Sequence, residues 1–189
     1  MNLMKIMRRR SFLALSAAAG AAGLAAFASR GRAQVEPAAT PTAAAANAIS
    51  EGRLPPGYRD WRLISVAREE GSLDDIRAVL GNDAAIQAYR EGTSPFPEGT
   101  VIARIAWACL PSEENNKVFG KAQSFVAGPP KNGVQFMVKD SKKYASTGGW
   151  GYSQFDDGKP LTDPAMLQSC YDCHQAIKGR DFVFTRYAP

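Results

Sequence analysis

Five residues near the C-terminus, Cys170-Tyr171-Asp172-Cys173-His174, set what this chain has to build. The run has C-x-x-C-H spacing, and His174 is the only histidine among 189 residues. Two thiols three positions apart can each add to one vinyl group of a single haem. The adjacent imidazole then serves the iron as proximal ligand. The spacing therefore predicts one haem c, attached through Cys170 and Cys173, with His174 as the axial ligand. With no second histidine available, the far side of the iron is either open to a small ligand or closed by methionine.

The N-terminus reads consistently with such a cofactor. Residues 1–33 carry Lys5, Arg8, Arg9, Arg10, Arg30 and Arg32 and no acid. An apolar Ala/Gly-rich stretch runs from Phe12 to Ala28, with small-residue cleavage sites ending at Ala28 and Ala33. This is the pattern of an export signal, and Arg9-Arg10-Ser11-Phe12-Leu13 has the twin-arginine form. An uncleaved anchor is the alternative, although alanine and glycine make a weak membrane span. No other stretch approaches the roughly 18 apolar residues of a span. Haem c is attached outside the bacterial inner membrane, so signal and pentad both predict the periplasm. Twin-arginine export carries folded cargo whereas haem c attachment follows export, which leaves the Tat and Sec routes both open.

Removing the signal changes the charge. The chain holds 23 Lys and Arg against 18 Asp and Glu. Six of the cations lie in residues 1–33, so the remainder carries 17 against 18, a net −1. The basic character belongs to the targeting segment, and it supports binding to neither nucleic acid nor a membrane surface.

Residues 34–54 are Ala/Pro/Thr-rich and read as a linker with too little apolar bulk for a core. The segment 55–189 is long enough for one domain. Its periodicity is mostly of strands. Val101 to Leu110 alternates with apolar residues on both faces, which fits a strand covered on both sides. Val134–Lys139, Gly151–Phe155 and Ile76–Leu80 read as further strands between Gly, Pro and Asp punctuation. Asp83 is placed to cap a helix over 84–90 that closes at Gly92, and a second helix is expected over 113–125. The pentad is expected to open a short helix from Cys170 to Lys178. The fold class is α+β, mainly antiparallel sheet with a few short helices and a C-terminal haem c site. Small electron-transfer cytochromes and four-helix cytochromes c′ are helical, and these strands exclude both.

Three segments in this order resemble the cytochrome P460 family: Pro55-Pro56-Gly57-Tyr58-Arg59-Asp60-Trp61, Phe96-Pro97-Glu98-Gly99-Thr100-Val101, and Val138-Lys139-Asp140-Ser141-Lys142-Lys143-Tyr144. Gly148-Gly149-Trp150-Gly151, the pentad, and Asp181-Phe182-Val183-Phe184-Thr185-Arg186 continue it to the end of the chain. The family includes β-sheet cytochromes c′. The resemblance implies a mainly β, usually dimeric, periplasmic haem c protein that meets small nitrogen compounds, with a redox partner protein in some roles. P460 members oxidise hydroxylamine and carry a lysine cross-link to the macrocycle; c′-type members have an ordinary haem c and bind nitric oxide. By resemblance, Arg77 matches a distal-pocket arginine, Arg104 stands where the cross-linking lysine belongs, and Gln135 where a distal glutamate belongs. Two of the family's chemical groups are thus replaced, which weakens the case for an enzyme.

Other readings of these residues stay open at this level. Arg104 is either a surface cation on an edge strand or a pocket residue paired with a haem propionate or a distal anion. Arg77 has the same two readings, and Gln135 is otherwise a plain polar strand residue. Met137 and Met166 are either core or a sixth ligand. Cys109 reads as a small buried hydrophobe, Trp150 as core or pocket wall, and Lys139, Lys142 and Lys143 as a solvated face. A structural zinc site from Cys109, Cys170, Cys173 and His174, or a Cys170–Cys173 thiol–disulfide reductase, would use the same residues. An electron-transfer cytochrome is the third functional class.

Overall fold

A computed structural model describes residues 41–188. The export signal expected over 1–33 and the first part of the linker, 34–40, lie outside the described residues. Six strands form one sheet, antiparallel throughout and arranged in chain order. They are β1 (Arg62–Glu69), β2 (Asp75–Gly81), β3 (Val101–Pro111), β4 (Phe125–Lys139), β5 (Trp150–Asp156) and β6 (Lys159–Pro160). Four short helices complete an α+β domain: α1 (Pro41–Ser50), α2 (Asp83–Glu91), α3 (Glu113–Phe119) and α4 (Pro164–His174).

Successive side chains on a strand point to opposite faces, so the sheet sorts its residues by parity. On one face Leu80, Val101, Ala103, Ile105, Val134, Phe136, Val138 and Phe155 pack together. On the other, Val79, Ile102, Met137 and Trp150 pack with Ile64, with Ala85, Ile86 and Ala88 of α2, and with Val183. Both faces of β3 are thus covered, as its near-continuous apolar run predicts. Arg104 therefore lies on a central strand between β2 and β4, and the edge-strand reading of it fails.

Several boundaries differ from expectation, each for a physical reason. Residues 41–50 form α1, and Ala45, Ala48 and Ile49 are buried; Ala45 and Ile49 join the first core. Part of the expected 34–54 tether is therefore core: small side chains let the helix lie close to the sheet, where area rather than bulk does the packing. Asn82, not Asp83, caps α2: its Oδ1 accepts from the Ala85 and Val101 amides at 3.1 Å, and its Nδ2 donates to the Gly99 carbonyl at 2.9 Å. A carboxylate has no donor for that third bond. α3 ends at Gly120 rather than Phe125, because Gly120 takes the left-handed conformation that closes a helix. β1 was not expected from its sequence, whose residues are mostly exposed and lack alternation.

The pentad closes α4 instead of opening a helix. Asp163 accepts from the Ala165 amide at 2.9 Å and Pro164 takes the first helical position, so the helix begins six residues ahead of Cys170. A 3-10 segment, Gln175–Arg180, follows directly.

Candidate haem site

α4 presents Cys170, Cys173 and His174 on consecutive turns. Neither cysteine is in a disulfide; Cys170 is half-buried and Cys173 exposed. The Cys170 Sγ donates to the Met166 carbonyl at 3.5 Å. Burial pushes the Cys170 thiol up and Cys173 adds to this, while a backbone hydrogen bond and the nearby Arg104 cation oppose it. The Tyr171 and His174 rings lie 6.4 and 5.2 Å from the ring of Tyr152, which joins α4 to the Arg104 face of the sheet.

His174 is positioned by a backbone carbonyl. Its Nδ1 lies 2.6 Å from the Phe182 oxygen. A carbonyl only accepts, so Nδ1 carries the proton and Nε2 keeps its lone pair for a metal. The ring sits 5.2 Å from that of Tyr152 and 5.0 Å, edge-on, from that of Phe184. Burial lowers the His174 pKa while the Phe182 carbonyl opposes the shift, and the neutral ring is the form that ligates iron.

The turn that supplies this carbonyl is itself constrained. Asp181 and Phe182 have φ of 49° and 63°, two consecutive non-glycine residues in the left-handed region. Asp181 Oδ1 accepts from Lys139 Nζ at 2.7 Å, and its Oδ2 accepts from the Phe96 amide at 2.8 Å. The Phe182 ring lies where a side chain on Gly148 would stand, and stacks 6.0 Å from Tyr171. Lys139 is only 6 % exposed and sits 5.0 Å from the Trp150 ring centre, so the solvated-face reading fails for it.

Arg77, Arg104 and Gln135 come together on the same face as His174's neighbour Tyr152. Arg104, Gln135 and Gln154 stand directly opposite one another across β3, β4 and β5. Arg104 Nη1 donates to Gln135 Oε1 at 2.7 Å, and Gln135 Nε2 donates to Gln154 Oε1 at 2.7 Å. Arg104 Nη2 pairs with Asp75 Oδ2. Arg77 donates from Nε to Asp75 Oδ1 at 2.7 Å and pairs with Glu69 at 3.1 Å. Asp75 is fully buried between the two guanidinium groups. Burial lowers the Arg104 pKa, Arg77 lowers it further, and Asp75 opposes both.

Other candidates fall elsewhere. Cys109 shares the parity of Ile105 and Trp107, on the face away from Arg104 and Tyr152, so no Cys₃His set assembles. No cluster of three or more His, Cys, Asp or Glu placed for a metal ion occurs among the described residues. Met137 is packed in the core beneath α2, and Met166 lies on α4 itself, 40 % exposed. Sequence reasoning missed Asp75, Gln154, Tyr152 and the Phe182 carbonyl. Strand parity with Arg104 and Gln135 could have found the first three. The last is a backbone atom in an irregular turn, for which no side-chain pattern exists.

These residues fit a haem c. Two unpaired thiols three apart on one helix lie beside a histidine with a free Nε2. The neighbouring Tyr152 hydroxyl is buried without a hydrogen-bond partner, the mark of a group whose surroundings are incomplete. No curated protein matches the chain. The sequence profile of Cytochrome P460 matches residues 55–185, which span the whole sheet, the pentad and the Phe182 turn. By that match over most of its length, this chain belongs to the cytochrome P460 family, and with membership comes a haem c cofactor.

Proposed function

We propose that this chain is a periplasmic mono-haem c protein that binds a small nitrogen ligand, nitric oxide above all, and does not oxidise hydroxylamine. Cys170 and Cys173 hold the haem covalently and His174 is its axial ligand. Bound there, the haem supplies an iron centre for reversible ligand binding and one-electron exchange. The chain's own groups decide how that centre is used.

The observation that carries the reading is the guanidinium of Arg104, held between Asp75 and Gln135. By family resemblance a nucleophilic lysine belongs at this position. An arginine stays protonated in proteins and is a poor nucleophile, so it supports an ordinary haem c without a cross-link. Gln135 supports the same conclusion, because an amide cannot accept the proton that hydroxylamine oxidation must shed. Arg104 and Gln135 instead offer a polar, positively charged wall. Arg77 backs that wall through Asp75. The core packing of Met137 and the helical position of Met166 favour an open sixth site over an electron carrier closed by methionine. Processing of the export signal near Ala28 or Ala33 delivers the domain to the periplasm, and no described helix is long and apolar enough to cross a membrane.

The test is a Soret spectrum of the ferrous holoprotein with and without nitric oxide and hydroxylamine. The reading requires a high-spin ferrous spectrum, a clear shift with nitric oxide and no turnover of hydroxylamine. Hydroxylamine turnover, or a ferrous spectrum indifferent to nitric oxide, contradicts it.

A further inference from the structure

We infer that the buried Lys139–Asp181 ion pair is a positioning device for the axial histidine. The inference rests on the reading of His174 as the iron ligand and adds to it the residues that set how strongly that ligand binds. Lys139 ends β4, and Asp181 lies 42 residues later, beyond the attachment helix. Their side chains are 6 % and 9 % exposed. A buried pair of this kind seldom stabilises a fold better than apolar residues of the same volume, so its presence calls for a role in specifying geometry.

The geometry it specifies is the turn at Asp181 and Phe182. Two adjacent non-glycine residues with positive φ are disfavoured by their own sterics, and surrounding contacts must hold them. Asp181 uses both carboxylate oxygens for this, one on Lys139 and one on the Phe96 amide. Lys139 also donates to the Gly148 carbonyl at 3.4 Å, and Gly148 is the residue whose missing side chain makes room for the Phe182 ring. Lys139 at the end of β4, the Phe96 amide and the space at Gly148 thus converge on one turn. The product of that constraint is a carbonyl 2.6 Å from His174 Nδ1. An acceptor at Nδ1 fixes the rotation of a ligating imidazole and raises its basicity toward the metal. Lys139 and Asp181 form a pair of no net charge, so their effect reaches His174 through the backbone of Phe182. They are positioning residues.

The experiment compares holoproteins carrying Lys139→Met, Asp181→Asn and both, with Ile105→Val as a variant in the separate core on the opposite face of the sheet. Intact mass first confirms one haem per chain in each. In the ferrous state, resonance Raman reads the iron–histidine stretch, and potentiometry reads the haem midpoint. Both single variants are expected to shift the stretch to lower frequency and raise the midpoint, because the imidazole donates less when Nδ1 loses its acceptor. The double variant should shift no further than the larger single, whereas Ile105→Val should lower Tm and leave both readouts unchanged. If Asp181→Asn fails to fold, Lys139→Met still carries the comparison, since the Asp181 bond to Phe96 is retained. Wild-type frequency and midpoint in the paired-residue variants overturn the inference while leaving the haem site standing. Absence of a haem adduct from the wild-type chain is a different failure: it removes the haem reading, and the inference falls with it.

Discussion

The Phe182 carbonyl oxygen stands 2.6 Å from Nδ1 of His174, eight residues earlier in the chain. This one contact joins the attachment helix to the C-terminal segment. It leaves Nε2 free to ligate a metal, and it gives a purpose to the irregular turn that follows the 3-10 segment Gln175–Arg180.

Gly148 tests the turn from below. It has φ of 70°, and a side chain there would collide with the Phe182 ring. Gly148→Ala should destabilise the protein by about 1–3 kcal/mol through overpacking and the backbone conformation. Thermal unfolding measures the loss, and the iron–histidine stretch should fall with it. An unchanged Tm would mean that the ring and the glycine are not packed as described.

Asp75 is the counter-ion of two arginines and has no exposure of its own. Asp75→Ala leaves Arg77 and Arg104 without their shared partner in a largely buried site. A cost of about 3–5 kcal/mol is expected in urea unfolding, with haem attachment retained. A cost below about 1 kcal/mol would place the two guanidiniums in contact with solvent instead.

Met137 separates core from ligand. Packed beneath α2 at 9 % exposure, it should cost about 2–5 kcal/mol when cut to alanine, with no change in the ferrous or ferric spectrum. A spectral change, or loss of a methionine-to-iron charge-transfer band in magnetic circular dichroism, would identify it as the sixth ligand and favour an electron carrier.

How much of this was legible in the sequence varies with the physics. The alternation in Val101–Leu110 gave a doubly covered strand, because burial on both faces leaves a dense apolar signature. The C-x-x-C-H run stood out because covalent haem attachment demands fixed spacing, and its residues close a single helix. Edge strand β1 was invisible, since an exposed strand has no periodic apolar pattern to read. α1 was hidden by alanine, which suits both a linker and a close-packed helix. Lys139 looked like surface because its partner, Asp181, is distant in sequence, and pairing rather than composition decides whether a lysine can be buried. Asp75 sat one residue before the expected start of its strand, so its parity with Arg77 went unread.

Arg104→Lys converts the departure from the family pattern into an experiment. If β3 is aligned as the resemblance implies, the variant holoprotein should gain a lysine–haem adduct, seen as a haem peptide joined to a second peptide containing residue 104. Hydroxylamine oxidation should remain weak until Gln135→Glu is added, which supplies a carboxylate to take the proton. Full turnover in Arg104→Lys alone would show that Gln135 does not limit the chemistry.

The most direct test of the central claim is intact mass and peptide mapping of the chain produced with haem-attachment machinery. The expected result is the processed chain plus one haem, with the haem on a single peptide spanning Cys170 to His174 and no second peptide attached. Cys170→Ala with Cys173→Ala should then abolish the adduct. A haem peptide bridged to a lysine-containing peptide, or an adduct that survives the double substitution, would contradict the account.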